Sequence, residues 1–386
     1  MSTRAVAAVC ALCLAAVLTV RAAGPPSDPG PGFDTSAAAR YLDARMDLWW
    51  TKAKPLKSGD AQTKCLSCHT AVPYALARPA LRKAMGVTAP TVNEDAILDT
   101  VRTRLAHLDD EQPFYDHTEA KKVESRGVEA VLNAFLLTSH DTGTGATTPD
   151  PLTQKAVARL WSVQRADGAF DWLDFGLEPY ETGDAVFHGA TLAALTAGSL
   201  TGAAAGGDAA GLAGVERLRG YLRANLGAQR LFNRAWALLA SSRLTGVLAP
   251  ADRDGIVRAL EAAQRPDGGW ALADLGEWRW SKTAAPYAAP GPTDAALVSA
   301  SDGYATGLVV YAMKQAGVPA TRPAVQRGTA WLRGHQQALR AGDDAWAPWR
   351  AHSLNFDREH GGDKGEPWRR MFMSDLATAF AVLALL

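Results

Sequence analysis

The sequence is short of cysteine, of net charge and of long apolar runs, and each shortage excludes something. Of four cysteines in 386 residues, Cys10 and Cys13 lie in an apolar N-terminal run, and only Cys65 and Cys68 follow it. A fold held by a disulfide framework needs more, so packing must supply most of the stability. Forty basic and forty acidic residues cancel, and nothing in that balance steers the chain to nucleic acid or an anionic membrane. Past residue 22 no run reaches the roughly 20 apolar residues that a membrane-spanning helix needs. Strand-like alternation is scarce. No GxSxG elbow, P-loop or HExxH occurs, which leaves hydrolase and nucleotide-dependent readings without a motif.

What is present begins with AVAAVCALCLAAVLTV, from Ala5 to Val20, preceded by Arg4 and followed by small residues at Ala22 and Ala23. This pattern reads as a secretory signal peptide over residues 1–22, giving a periplasmic or extracellular protein with no membrane span once it is cleaved. Cleavage would remove Arg4 and Arg21 and no acid, leaving 38 basic against 40 acidic residues, a balance of −2. At 47% hydrophobic content the chain is ample for a large core.

Helical apolar spacing dominates and predicts an all-α protein. Two kinds of helix alternate. GDAVFHGATLAALTAG, NRAWALLASSRLTG, SDGYATGLVVYAMKQAG and MSDLATAFAVLALL are apolar nearly all round and should be buried on every side. TQKAVARLWSVQ, AGVERLRGYLRANL, ADRDGIVRALEAAQ and RPAVQRGTAWLRGHQ carry Arg and Gln on one face and should form an outer shell. Such alternation predicts helical hairpins stacked into a ring or solenoid. A repeat agrees residue by residue: Gln164-Arg-Ala-Asp-Gly168-Ala-Phe170 matches Gln264-Arg-Pro-Asp-Gly268-Gly-Trp270, and Val215, Arg217, Tyr221, Leu222 and Arg223 match Val325, Arg327, Trp331, Leu332 and Arg333. The glutamine should satisfy carbonyls at a helix end, the Asp-Gly pair should turn the chain, and the aromatic should pack back. Asp184, Asp302 and Asp375 are placed to cap the inner helices.

These segments resemble the QW repeats of the squalene-hopene cyclase and protein prenyltransferase superfamily. The resemblance implies an α/α toroid from about residue 125 to the C-terminus, with residues 23–124 as an N-terminal helical segment that completes the ring or covers one end. It does not extend to catalysis. The DxDD acid of the cyclases is absent, Asp109-Asp110-Glu111 and Asp343-Asp344 read as solvent-facing, and no cysteine after Cys68 can hold a prenyltransferase zinc. The chain as a whole resembles exported bacterial proteins described as squalene-cyclase-like, which lend no established reaction. Whether it is an enzyme stays open at this level.

The segment KCLSCHTAVPYALARPALR carries CxxCH. Two thiols at this spacing with an adjacent histidine read as a c-type haem attachment site: one covalent haem c on Cys65 and Cys68, and His69 as the proximal iron ligand. A disulfide and a zinc clip are weaker readings, zinc lacking a second ligand pair. Met85, His107, His117 and His140 are the distal candidates. Pro73 and Pro79 should limit helix in this stretch. The function expected is electron transfer to a periplasmic redox partner. The alternatives are a redox enzyme acting on an apolar or sugar-like ligand in the toroid cavity, and a non-catalytic binding or sensing module. The loop from Asp167 to Asp184 holds six acids and four aromatics without a Lys or Arg. It reads as a solvated loop with capping aspartates, or as a mouth for a sugar, a cation or a basic patch. His188, on an apolar helix, reads as a core histidine.

Overall fold

A computed structural model describes residues 32–146, 148–200, 209–278, 299–338, 340, 346–355 and 367–386. The signal peptide at 1–22 and the acids Asp343-Asp344 fall outside the described residues.

The described residues form twelve α-helices: α1 Thr35–Lys52, α2 Ala71–Ala84, α3 Val92–Ala106, α4 Glu119–Thr144, α5 Pro151–Ser162, α6 Ala185–Ser199, α7 Ala209–Asn225, α8 Leu231–Ser241, α9 Pro250–Ala262, α10 Gly303–Gln315, α11 Pro323–Gly334 and α12 Phe372–Leu385. A two-stranded antiparallel hairpin, β1 Pro55–Ser58 and β2 Ala61–Lys64, stands between α1 and α2. Local chemistry sets the boundaries. The outer helices α5, α9 and α11 each begin with proline, whose missing N–H costs nothing in the first turn. Thr91 and Glu94 close a reciprocal capping box on α3.

The even-numbered helices pack side by side, α2 on α4, α4 on α6, α6 on α8, α8 on α10, α10 on α12, and α12 back on α2. This closed inner ring of six, with α3, α5, α7, α9 and α11 outside it and α1 against α2 and α12, is an all-α toroid of helical hairpins. The inner helices run parallel. At one end Asn233 of α8 donates to the Asp184 carbonyl before α6, and Thr70 before α2 reaches Asp375 on α12. At the other, Lys314 of α10 donates to the Ala384 carbonyl of α12. Small residues permit the close approach: a Cβ added at Gly307 of α10 would lie 2.6 Å from the Phe380 backbone of α12.

The repeated motif has one job in both copies. Gln164 Nε2 donates to the carbonyls of Gly168 and Gly214, at 3.0 and 2.9 Å, and Gln264 Nε2 to those of Gly268 and Ala324, at 2.8 and 2.9 Å. Each glutamine therefore ties the end of one outer helix to its own turn and to the next outer helix. Gly168 and Gly268 hold φ of 94° and 92°, which favours glycine. Arg217 and Arg327, the paired arginines of the second repeat block, donate to the two glutamine carbonyls. Phe170 and Trp270 are fully buried behind the turns.

The ring closes through α2, so residues 23–124 help to complete it, the first of the two roles the sequence left open. Two expectations are corrected. Helix α2 runs through both Pro73 and Pro79: Pro73 sits in the first turn, where its N–H has no partner to lose, and burial of Tyr74, Ala77 and Leu81 offsets the bond lost at Pro79. Of the three expected caps, Asp302 alone caps by side chain, accepting from the Tyr304 and Ala305 N–H groups at 2.9 and 2.8 Å. Asp184 pairs with Arg230, and Asp375 lies inside α12.

Candidate functional site

The N-terminal ends of the inner helices, and the connections that lead into them, gather buried polar side chains, among them His69, Thr70, Glu178, Asn233 and Asp375. The loop before α6 spans this end, held by its own hydrogen bonds and by distant side chains, with part of its acidic surface in solvent. Phe175, Leu177 and Glu181 exchange backbone hydrogen bonds of 2.8 to 3.0 Å, and Trp172 Nε1 donates to the Tyr180 carbonyl at 2.8 Å. Trp172, Glu178 and Tyr180 are buried, while Asp174 is exposed and Asp171 half-buried. The anchors come from elsewhere in the chain. Arg230 bridges Glu178 and Asp184, at 2.9 and 2.7 Å, with its guanidinium 4.9 Å from the centre of the Trp278 ring. Asn355 Nδ2 donates to the Glu178 carbonyl at 3.1 Å; its own Oδ1 is buried without a partner. Lys121 of α4 bonds Glu124 and the Asp174 carbonyl and lies over Phe175. The sequence offered no signal for Arg230, Asn355 or Trp278, because nothing in their local pattern distinguishes them.

Deeper on the axis, Tyr180 and Tyr304 join hydroxyl to hydroxyl. His188 stands against Tyr180 and Trp236, with ring centres 4.8 and 4.5 Å away. Its Nδ1 has no partner, and burial pushes its pKa down to about 3, so the ring is neutral. The core reading of His188 agrees with this packing. The cavity it shares with Cys68, Leu192, Trp236 and Phe380 measures about 10 Å³, space for at most one water.

Asp302, beside this axis, has its pKa raised to about 6 by burial, against the pull of three backbone N–H donors, those of Tyr304, Ala305 and Leu272. Its two oxygens are committed to those donors.

CxxCH forms the turn that starts α2. Ser67 Oγ accepts from the Thr70 and Ala71 N–H groups, both at 3.1 Å. His69 is buried, stacked on Phe372 with ring centres 3.5 Å apart, and Trp49 stands edge-on at 5.7 Å. His69 Nδ1 lies 3.3 Å from Thr70 Oγ1, which donates to Asp375 Oδ2 at 2.7 Å. Asp375 in turn accepts from Tyr41, and from Arg45 through two bonds. Since the single Thr70 proton goes to Asp375, the contact with His69 requires Nδ1 to be the protonated nitrogen. Cys65 and Cys68 are partly exposed as residues, but burial of the thiols raises both pKa values, that of Cys68 to about 12, so both are protonated.

A haem does not fit this arrangement. The cavity bounded by Cys65, Cys68, His69 and Trp49 measures about 40 Å³, whereas pockets for drug-sized ligands run about 300–1,000 Å³. One face of His69 is covered by Phe372. The distal candidates are elsewhere: Met85 at the far end of α2, about 20 Å along the helix axis, His107 beside Asp110 on the surface, His117 exposed beside Tyr115, and His140 near the C-terminal end of α4. Among the described residues no group of three or more His, Cys, Asp or Glu is placed to hold a metal ion.

Glu111 departs from its expected solvent exposure. Its side chain is 4% exposed, 3.5 Å from the fully buried Arg104, which also pairs with Glu129 and bonds Thr63 of the hairpin. Burial first, then repulsion from Glu129, raises its pKa to about 8.

No family model matches the sequence, and no curated protein matches it. Nine chains of solved structures do match. One is a structure of UGL with dGlcA-Glc-Rha-Glc, at TM-score 0.50 and 13% identity, covering 91% of this chain and 94% of that one. Another is the unsaturated glucuronyl hydrolase of Bacillus sp. GL1, responsible for the degradation of glycosaminoglycan, at TM-score 0.50 and 13% identity, covering 91% and 96%. At this identity the likeness shows the fold, an α/α toroid. The electron-transfer reading and its redox partner are corrected by these findings: the solved structures named above are of UGL and of an unsaturated glucuronyl hydrolase, not of an electron carrier, and the cavity at CxxCH is small.

Proposed function

We propose that the chain binds a neutral or amino-sugar oligosaccharide across the N-terminal end of the toroid. The observation that carries this reading is the loop Asp167–Asp184, tied down by Arg230, Asn355 and Lys121, which sets the carboxylates of Asp171 and Asp174 beside the half-buried ring of Phe175 while Phe170, Trp172 and Tyr180 are buried beneath them. Carboxylates accept hydrogen bonds from sugar hydroxyls, and aromatic faces cover the apolar side of a sugar ring. The sign of the charge selects among sugars. Arg165 is shared by Asp167 and Asp171, Arg230 by Glu178 and Asp184, and Lys121 is already bound to Glu124. Acid is in excess, which disfavours an anionic sugar.

Binding is favoured over bond cleavage among the described residues because Glu178 and Asp184 are held in ion pairs and Asp302 by backbone donors. One matching toroid, UGL with dGlcA-Glc-Rha-Glc, supports the sugar reading, and the shared bonding of Gln164 and Gln264 supports the kinship with squalene-cyclase-like repeats. Export, expected from residues 1–22, belongs to the same proposal. Screening the full chain against an array of neutral, amino and uronate-bearing glycans tests it: retention of neutral or amino sugars is expected, and no retention of any glycan overturns it.

A further inference from the structure

The CxxCH turn leaves no room for a macrocycle, yet it brings two thiols to one small cavity. Between residues 23 and 386 these are the only cysteines, so no other thiol of that stretch competes for either. The backbone between them is fixed. Leu66 is fully buried, the Val72 N–H donates to the Ser67 carbonyl at 3.0 Å, Ser67 Oγ holds the next two N–H groups, and Trp49 Nε1 donates to the Cys65 carbonyl at 2.9 Å. Cys65 and Cys68 both line the 40-Å³ cavity. A disulfide draws two sulfurs to about 2.05 Å and sheds two hydrogens, so it needs less room than the dithiol.

We propose that Cys65 and Cys68 close as an intramolecular disulfide that fastens the end of the β-hairpin to the turn leading into α2, the helix through which the ring closes. One protein thiolate attacks a small-molecule disulfide such as oxidised glutathione, forming a mixed disulfide and releasing one glutathione thiolate, which takes up a proton. The second protein thiol then gives up its proton and displaces the other glutathione. In balance, two protein thiols and one oxidised glutathione become one protein disulfide and two reduced glutathiones. In the folded chain burial keeps both thiols protonated, so closure belongs to folding, and the folded dithiol reacts slowly. The inference stands apart from the sugar reading.

Refolding the reduced full chain in glutathione buffer, then blocking free thiols under denaturing conditions and weighing the peptide that carries Cys65 and Cys68, tests it. The expected peptide is unblocked and two hydrogens lighter, while chain folded before oxidation converts at least tenfold more slowly. The oxidised protein should melt about 2–4 °C above the reduced one, and Cys65→Ser/Cys68→Ser should melt with the reduced protein. A peptide blocked at both cysteines after oxidative refolding, a stable glutathione adduct, a covalent tetrapyrrole on the purified chain, or identical melting of the two redox forms would each overturn the proposal.

Discussion

Thr70 donates its hydroxyl proton to Asp375 at 2.7 Å, across the seam where the last inner helix meets the first. These residues are 305 apart in sequence, and their bond sits in a buried network with Tyr41, Arg45 and His69. The toroid is therefore closed by polar chemistry as well as by the apolar face of α12.

Breaking this seam should be expensive. Asp375→Ala leaves the buried Arg45 guanidinium without its partner and should cost about 3–5 kcal/mol. Thr70→Val removes a charge-assisted bond and should cost about 1.5–3 kcal/mol. Urea unfolding with an unchanged slope checks both; a loss below 1 kcal/mol for Asp375→Ala, on the scale of an exposed pair, would show the seam to be solvated.

The repeat glutamines should matter equally. Gln264→Ala loses bonds to Gly268 and Ala324, and Gln164→Ala loses those to Gly168 and Gly214. Each should destabilise by about 1–3 kcal/mol, and the double variant by nearly the sum, because the sites lie in separate hairpins. Thermal melts of the three variants read this directly.

Gly307→Ala should destabilise by about 1–3 kcal/mol through overpacking, since its Cβ would meet the α12 backbone, which cannot yield as a side chain does. Gly220→Ala on α7, where nothing lies within 4 Å of the added Cβ, should be neutral or stabilising. Equal melting temperatures for the two variants would contradict the close approach of α10 and α12.

Glu111 sets a pH dependence. Its folded pKa of about 8 lies above the ordinary 4.5, so the protonated form favours folding. Its contribution is full below pH 4.5 and is lost as pH rises through 8. Glu111→Gln should stabilise at pH 8 by about 1–3 kcal/mol and make little difference at pH 4.5. Melting the variant and the parent side by side across this range checks the sign; a variant less stable at pH 8 would reverse it.

The ring of inner and outer helices was legible because burial on every side demands apolar residues all round, and α6, α8, α10 and α12 carry them. The turns were legible because Asp-Gly after a helix-ending glutamine has few other uses. Helix α2 was hidden by Pro73 and Pro79, whose local cost is outweighed by tertiary packing that no window of sequence contains. The order in the loop before α6 was hidden for a related reason. Its anchors Arg230 and Asn355 lie 52 and 177 residues from Glu178, so composition alone made it look solvated. CxxCH misled because its spacing defines a haem site only where the surrounding chain leaves room for one.

Titration calorimetry of the full chain with oligosaccharides tests the central claim most directly. The account predicts saturable binding of a neutral or amino-sugar oligosaccharide, at least tenfold tighter than a uronate-bearing one of the same length. Asp171→Asn/Asp174→Asn should weaken it severalfold without moving the melting temperature, since both side chains face solvent in part. No saturable heat with any oligosaccharide, or a preference for the uronate-bearing sugar, would contradict it.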